Sequence, residues 1–162
     1  MLPNSANVIM AAEHAARLSE KEVKVARTTS QQAGLAAAVV LTPDRSVEQN
    51  AQAVDEALAR VRTGAVAPAA RDDAQGRFAR GEAVGFVGED VCAWGDPTET
   101  LRAILLALAA GEDGREPELI SVLAGEGAPL RLGEIEGMMN GAVELELREG
   151  GQPAYWWLIA AE

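Results

Sequence analysis

Two turns that precede predicted helices contain the residues of this chain best suited to ligand chemistry. The first contains Asn4, Ser5 and Asn7, whose side chains offer hydrogen-bond donors beside the free amides of a helix N-terminus, an arrangement that suits an anion. Helix caps use the same residue types, so capping is the alternative. The second turn, around Gly125, lacks both the Gly-Lys-Ser/Thr of a phosphate loop and the full dinucleotide glycine pattern. A nucleotide role for it therefore has little support.

An acidic pair follows Arg71 at the predicted end of a strand. Asp72 and Asp73 could hold a hard cation, although magnesium sites usually also use substrate phosphates. Charged runs of this kind are more often solvated loops. The sequence leaves these two interpretations open.

The remaining reactive residue types occur singly. His14 is the one histidine, and no motif pairs it with a nucleophile, so we interpret it as an ordinary helix residue. Cys92 is the one cysteine, which permits neither an internal disulfide nor a multi-thiolate metal site. It lies in a predicted strand, where a free cysteine is expected to be a buried small hydrophobe. We predict no catalytic residue and no metal ligand in this chain.

The composition limits the possible partners. The 162 residues include 25 acidic and 14 basic ones, which gives a formal net charge of −11. A field of that sign repels phosphate backbones and anionic lipid surfaces, which argues against nucleic-acid and membrane partners. The longest apolar runs, such as residues 103–110, are far shorter than the roughly 20 residues of a membrane helix. Because no signal peptide is recognisable either, we expect no integral membrane segment and a cytoplasmic location.

The first third of the chain is predicted to be mainly helical. A helix is expected to follow the capping residues at Pro3, and residues 22–27 alternate polar and apolar side chains as a strand does. Residues 31–41 predict a second helix, and Ser46 with Gln49 forms a capping-box pattern for a third, which we expect Gly64 to end. A capped helix so close to the first residue is typical of a segment just after a strand. We therefore interpret the chain as a fragment of a longer protein.

The rest of the chain alternates strands and helices. A hairpin is expected to turn at residues 88–90, and Asp96 with Pro97 is a strong helix start. The alternation predicts an α/β fold, a single domain over residues 1–162 with a mixed β-sheet covered by helices and a central β-hairpin. The predicted strands are residues 65–71, 83–87, 91–94, 118–123, 142–147 and 155–161, and a further helix is predicted over residues 130–140.

The last segment is the most specific feature of the sequence. Gly150-Gly151-Gln152-Pro153 forms a turn that leads into an aromatic, apolar strand beginning at Tyr155. A chain end of this kind is expected to be held within the sheet rather than to fray. Alternation along the strand predicts that Trp156 faces away from Tyr155 and Trp157.

Five separate segments carry a family resemblance, in the same order along the chain. Leu2-Pro3-Asn4-Ser5-Ala6-Asn7-Val8-Ile9-Met10-Ala11-Ala12-Glu13 lies at the start of the chain, and Gly150-Gly151-Gln152-Pro153-Ala154-Tyr155 lies near its end. Between them lie Gln32-Ala33-Gly34-Leu35-Ala36-Ala37 and Thr63-Gly64-Ala65-Val66, followed by Arg71-Asp72. Together these segments resemble the C-terminal region of the dihydroxyacetone-kinase-like, DegV-associated family. Its best understood members are the ATP-binding subunits of bacterial fatty acid kinase.

The resemblance implies a domain of a larger kinase subunit. In that family an N-terminal domain, which this chain lacks, holds ATP and magnesium, and the C-terminal domain docks a DegV-like fatty-acid-binding protein. We therefore expect a non-catalytic docking domain of a fatty-acid-kinase-like phosphotransferase, with no cofactor of its own and with the other domains of the parent chain as further partners. The alternatives are a small anionic-ligand-binding domain, with Asn4 to Asn7 facing Gly125 across a pocket, and a dimerisation module. The candidate contact residues are Asn4, Ser5, Asn7, Arg71, Asp72, Gly125, Gln152 and Tyr155.

Overall fold

The computed structural model describes residues 1–111, 115–139, 141 and 143–162. The chain forms two compact units, Met1–Val61 and Arg62–Glu162. The α/β class, with a mixed sheet flanked by helices, is confirmed. That residues 1–162 form one domain stays a prediction.

Helices make up most of the first unit. Ser46 caps its third helix as predicted: its Oγ accepts a hydrogen bond from the Gln49 amide at 3.2 Å, and Gln49 Oε1 accepts one from the Ser46 amide at 3.0 Å. This reciprocal pair satisfies two amides that would otherwise lack partners in the first turn. After a 3₁₀ turn at Ala6–Val8, the helices are α1 (Ile9–Leu18), α2 (Gln31–Val39) and α3 (Val47–Leu58).

The predicted strand over residues 22–27 was wrong, because these residues belong to neither a strand nor a helix. Their alternating pattern arranges side chains on two faces, but a strand also needs a neighbouring backbone to bond. Here Met1 supplies such a backbone: its amino group donates to the Lys24 carbonyl at 2.7 Å, and its carbonyl accepts from the Ala26 amide at 3.0 Å.

The second unit is built on a six-stranded sheet, counted over the residues that the structure describes. Its spatial order is β3-β2-β1-β6-β4-β5, with β4 and β5 parallel and every other neighbouring pair antiparallel. The predicted hairpin is confirmed, and the final strand lies between β1 and β4 rather than at an edge. The strands are β1 (Arg62–Pro68), β2 (Ala83–Val87), β3 (Asp90–Gly95), β4 (Leu119–Ala124), β5 (Glu144–Glu149) and β6 (Trp157–Ala161).

The core of this unit lies between the sheet and α4 (Pro97–Ala109). Asp96 starts the helix as predicted, because its Oδ1 accepts hydrogen bonds from the amides of Thr98 at 2.9 Å and Glu99 at 3.1 Å. Fully buried side chains of α4 pack against strand residues of the same face. The helix contributes Leu101, Ile104, Leu105 and Leu108, and the strands contribute Val66, Ile120, Val122, Trp157 and Ile159.

Gly64 does not end a helix, contrary to the prediction. The preceding helix ends at Leu58, and Gly64 lies within β1. A Cβ atom at this position would lie 2.8 Å from Cγ2 of Ile104 and 2.9 Å from Cδ1 of Leu108. The glycine is therefore required by the close approach of α4 to the sheet, which a local sequence pattern does not report.

Two further predicted elements are shorter than expected or shifted. The helix predicted over residues 130–140 is limited to α5 (Leu132–Glu136), and Asn140 lies outside the described residues. The strand predicted from Ala142 begins at Glu144, and Ala142 also lies outside them, as do residues 112–114. Across the described ranges, α4 is the longest helix with 13 residues, and none has the length and apolar character needed to cross a membrane.

Candidate functional site

Five of the predicted contact residues lie at one end of the sheet. Strands β1, β4 and β5 run in the same direction, because β6 is antiparallel to both β1 and β4, and β5 is parallel to β4. Arg71 and Asp72 follow β1, Gly125 follows β4, and Gln152 and Tyr155 lie between β5 and β6. All five are therefore near the carboxyl ends of the three strands. In open α/β sheets, ligands commonly bind on this side.

Gly125, Gln152 and Tyr155 meet in one tight turn. The Gly125 amide donates to the Trp156 carbonyl at 2.8 Å, and the Gln152 side chain donates from Nε2 to the Leu123 carbonyl at 2.9 Å. A Cβ atom on Gly125 would collide with the Tyr155 carbonyl oxygen and lie 2.6 Å from that of Gln152. These contacts join the end of β4 to the start of β6.

Arg71 and Asp72 belong to a solvent-exposed loop. Asp72 Oδ1 accepts a hydrogen bond from the Arg80 amide at 2.8 Å, whereas the neighbouring Asp73 carboxylate pairs with Arg77. The two carboxylates therefore have separate partners. Among the described residues, no group of three or more His, Cys, Asp or Glu side chains could hold a metal ion.

Exposed residues of these loops lie at the same end of the sheet as the turn, and together we call them the carboxyl-end surface. It is not apolar: it combines a cation, carboxylates and small side chains. Its members are Arg71, Asp72, Glu126, Pro153 and Ala154, each of them exposed.

The Asp73–Arg77 pair holds the loop of the carboxyl-end surface together, and no sequence motif predicts it. Arg77 donates from Nε and Nη2 to the two Asp73 oxygens at 2.9 Å each, and its guanidinium lies 5.4 Å from the ring centre of Trp94. A bidentate pair stacked on an aromatic ring fixes the loop against the hairpin. The one available signal was the four-residue spacing of opposite charges.

We expect a pH-dependent loss of stability from this pair. Hydrogen bonding to Arg77 lowers the pKa of Asp73 from its ordinary value of 3.8 to about 2. Because the folded pKa is the lower one, the contribution is fully present above pH 3.8 and is lost as the pH falls toward 2. An NMR titration of the Asp73 carboxyl carbon should give a midpoint near 2. In Arg77→Met it should return toward the ordinary value, and an unshifted midpoint in the unmodified protein would contradict the pair.

The residues around Asn4 belong to the first unit and do not cap α1. Asn4 has a φ of 59°, its amide donates to Thr28 Oγ1 at 3.0 Å, and its side chain fills the space where Gly34 lacks a Cβ. Its Oδ1 is buried without a hydrogen-bond partner among the described residues. Ser5 makes no side-chain cap bond, because the 3₁₀ turn uses the bond from the Val8 amide to the Ser5 carbonyl, and Asn7 is exposed. Side-chain capping was therefore a wrong interpretation of this motif.

Of the two single reactive residues, His14 is exposed within α1, and Cys92 is also exposed. The prediction that Cys92 is buried was wrong. The register of β2 and β3 shifts here, with Ala93 opposite Gly85 and Val91 opposite Phe86, so Cys92 is the extra residue of a bulge. Exposure nevertheless alternates along β3, and Cys92 shares the exposed face with Asp90 and Trp94. Alternation in the sequence separates the two faces of a strand, but it does not say which face the rest of the protein covers.

The aromatic segment also departs from simple alternation. Strand β6 begins at Trp157, so Tyr155 and Trp156 precede it and do not follow its two-residue period. The rings of Trp156 and Trp157 contact edge to face with centroids 6.1 Å apart, and Trp156 packs against the same core as the fully buried Trp157. Trp156 therefore does not face away from Trp157.

An apolar groove of about 400 Å³ lies near the beginning of β4, away from the carboxyl-end surface. None of the candidate contact residues lines it. The lining residues are Leu106, Ala109, Ala110, Glu116, Met138, Met139 and Val143.

Comparison of the sequence with known families gives a match over the whole chain. The FakA-like C-terminal family, which is named for a fatty acid kinase, matches residues 1–162. The Bacillus subtilis protein YloV is 28% identical over 168 residues, and an uncharacterised protein of Staphylococcus saprophyticus is 34% identical over 169 residues. Each alignment covers 100% of this chain and 30% of the relative, so the chain spans less than a third of the length of these relatives.

Comparison of the fold finds proteins of the DegV family. A DegV family protein of Corynebacterium glutamicum superimposes with a TM-score of 0.69 at 18% identity, covering 99% of this chain and 73% of its own. A DegV family protein of Eubacterium eligens, whose crystal structure was determined loaded with heptadecanoic acid, gives a TM-score of 0.63 at 16% identity, covering 99% of this chain and 71% of its own. At these identities the likeness establishes the fold alone.

Proposed function

Because this chain belongs to the FakA-like C-terminal family of fatty acid kinase proteins, we propose that it is the docking domain of a fatty-acid-kinase-like phosphotransferase. Its partner would be a DegV-like fatty-acid-binding protein. ATP and magnesium would be bound by other domains of a longer polypeptide, and phosphoryl transfer would occur there. The domain would position the acyl-binding partner for that reaction.

The observation that supports this proposal most strongly is the fold shared with DegV family proteins in a chain of a kinase family. The geometry of the candidate residues is compatible with it. Gly125, Gln152 and Tyr155 pack in one turn, which leaves the surrounding carboxyl-end surface free for a protein contact. Exposed charges at the rim of an interface contribute mainly to orientation and association rate, whereas buried anchors contribute most of the affinity.

The test is calorimetric titration of the 162-residue domain with the DegV-like acyl-binding protein of the same organism, with and without bound fatty acid. We expect saturable one-to-one binding with a Kd of about 1 μM or tighter. Arg71→Glu, which reverses a charge on the carboxyl-end surface, should weaken binding about tenfold, corresponding to about 1.4 kcal/mol.

The matched control is Arg102→Glu, which makes the same charge change on the exposed side of α4 in the same unit. It should bind as the unmodified domain does. Equal weakening by both variants would indicate non-specific electrostatic attraction and count against the carboxyl-end surface. Absence of binding at any accessible concentration would count against docking by this domain.

The same purified domain can be used to test the two alternative functions, anionic-ligand binding and dimerisation. Titration with a fatty acid alone measures anionic-ligand binding, and Asn7→Ala tests whether the exposed Asn7 amide contributes to it. Sedimentation of the isolated domain measures dimerisation. Docking predicts neither direct fatty-acid binding by this domain nor a stable dimer.

A further inference from the structure

The extended segment at residues 22–27 is bonded to Met1 in a manner specific to parallel strands. The Met1 nitrogen donates to the carbonyl of Lys24 at 2.7 Å, and the Met1 carbonyl accepts from the amide of Ala26 at 3.0 Å. A residue that bonds to both neighbours of the residue opposite it, here Val25, has the parallel ladder pattern. In an antiparallel pair, two opposite residues would instead exchange bonds directly.

The chain between these two points has the form of a parallel crossover. Parallel strands need a connection of a dozen or more residues, which is usually a helix. Helix α1 (Ile9–Leu18) lies between Met1 and residues 22–27. The chain therefore has the helix and the second strand of a strand–helix–strand unit. Of the first strand, it has only Met1.

The first unit also has large apolar side chains exposed on two of its helices. Helix α2 is apolar on several sides: its buried side includes Ala33 and Ala37, while Leu35 is 53% exposed and Val39 is 84% exposed. On α1, Met10 is 78% exposed and Leu18 is 74% exposed. Helices with apolar residues on opposite sides are normally covered on both. Among the described residues, seven of the nine exposed large hydrophobic side chains lie in the first unit: Met1, Val8, Met10, Leu18, Leu35, Val39 and Leu41.

We infer that residues 22–27 form a docking edge for a parallel β-strand supplied by the segment immediately N-terminal to Met1 in a longer polypeptide. That strand continues the ladder begun at Met1, and the preceding segment covers the exposed sides of α1 and α2. The share of the relatives that this chain spans, 30%, leaves ample length for such a segment. This inference is independent of the docking function.

The ladder pattern identifies the next groups to be bonded. Two residues before Met1, the incoming strand would lie opposite Val23. Its carbonyl would accept from the Lys24 amide, and its amide would donate to the Glu22 carbonyl. Because Lys24 is exposed, its amide is an accessible reporter of the added strand.

Hydrogen exchange measured by NMR tests the inference on two chains, the 162-residue chain and one that also includes the preceding segment, about eight residues, of the longer polypeptide. We expect exchange of the Lys24 amide to slow at least about tenfold in the extended chain. The Gly88 amide, which donates to the Thr63 carbonyl at 2.7 Å in the second unit, is the internal control and should not change. Equal Lys24 exchange in both chains would overturn the inference.

A pair of variants separates the backbone bond from the side chain. Lys24→Pro removes the amide donor, whereas Lys24→Ala removes only the ion pair with Glu48, in which the charged atoms are 3.1 Å apart. The readout is the amide of the residue two before Met1, which donates to the Glu22 carbonyl in the inferred ladder. In the extended chain, we expect Lys24→Pro to speed exchange of that amide and Lys24→Ala to leave it protected. Concentration-dependent protection of Lys24 in the 162-residue chain would overturn the inference, because a second copy would then supply the strand.

Discussion

Gly125→Ala should destabilise the domain by about 3 kcal/mol, at the upper end of what overpacking usually costs. The added methyl group collides with the backbone carbonyl of Tyr155 and approaches that of Gln152, and neither oxygen belongs to a flexible side-chain end that could move aside. To relieve this collision, the end of β4 would have to separate from the start of β6. Urea unfolding should show a lower midpoint with an unchanged slope.

Gly133→Ala is the matched control for this variant. Gly133 lies within α5, and no atom lies within 4 Å of a Cβ built there. Alanine at a helix position without crowding should stabilise the protein by about 0.5 to 1 kcal/mol relative to glycine. Equal midpoints for Gly125→Ala and the unmodified protein would show that the turn tolerates a side chain, which would contradict its tight packing.

Trp157→Ala should cost about 3 to 5 kcal/mol, because it removes a large side chain from the middle of the core. Trp157 is fully buried and lies in β6, opposite Val66 of β1 and Ala124 of β4. The cavity would therefore open in the core between the sheet and α4. Thermal and urea unfolding should both report the loss.

Trp157→Phe distinguishes the volume of this ring from its polar atom. The indole Nε1 of Trp157 is buried without a hydrogen-bond partner among the described residues. Phenylalanine removes that unsatisfied donor while keeping an aromatic ring, so we expect a loss of only about 1 to 2 kcal/mol. If Trp157→Phe proved as destabilising as Trp157→Ala, Nε1 would have to be satisfied by a group such as a buried water.

The elements predicted correctly are those specified by neighbouring residues. Ser46 with Gln49 and Asp96 with Pro97 each start a helix through bonds that span at most three residues. The hairpin around residues 88–90 is likewise local. Such patterns can be derived from one sequence because their energetics depend on the segment itself.

The elements predicted wrongly depend on distant parts of the chain. Gly64 was interpreted as a helix stop, although its role is set by Ile104 and Leu108 of α4. Residues 22–27 have the alternation of a strand, but sheet membership also requires a partner. Cys92 lies on the exposed face of β3, an edge strand of the sheet, together with Asp90 and Trp94. Tertiary pairing and packing decided each of these positions.

The candidate site also combines features set by neighbouring residues with features set by distant parts of the chain. The sequence indicated Gly125, Gln152 and Tyr155 as separate members of two motifs, and their meeting in one turn follows from the sheet order, which brings β6 beside β4. The contribution of Arg77 could not be derived in this way, because its ring partner Trp94 comes from a strand of the hairpin. The residues of the candidate site could therefore be predicted from the sequence more easily than the residues that they contact in the fold.

The central position of β6 has a consequence for how the second unit is made. Strands β1 to β3 and strands β4 and β5 are joined through β6, which pairs Arg62 with Ala161 on one side and Ile120 with Ala161 on the other. A ribosome releases both groups of strands before the strand that connects them. The hairpin strands and the parallel pair must therefore remain as two separate half-sheets, with an apolar gap between them, until β6 emerges. During synthesis, this interval is when the domain is most exposed to aggregation and to chaperones.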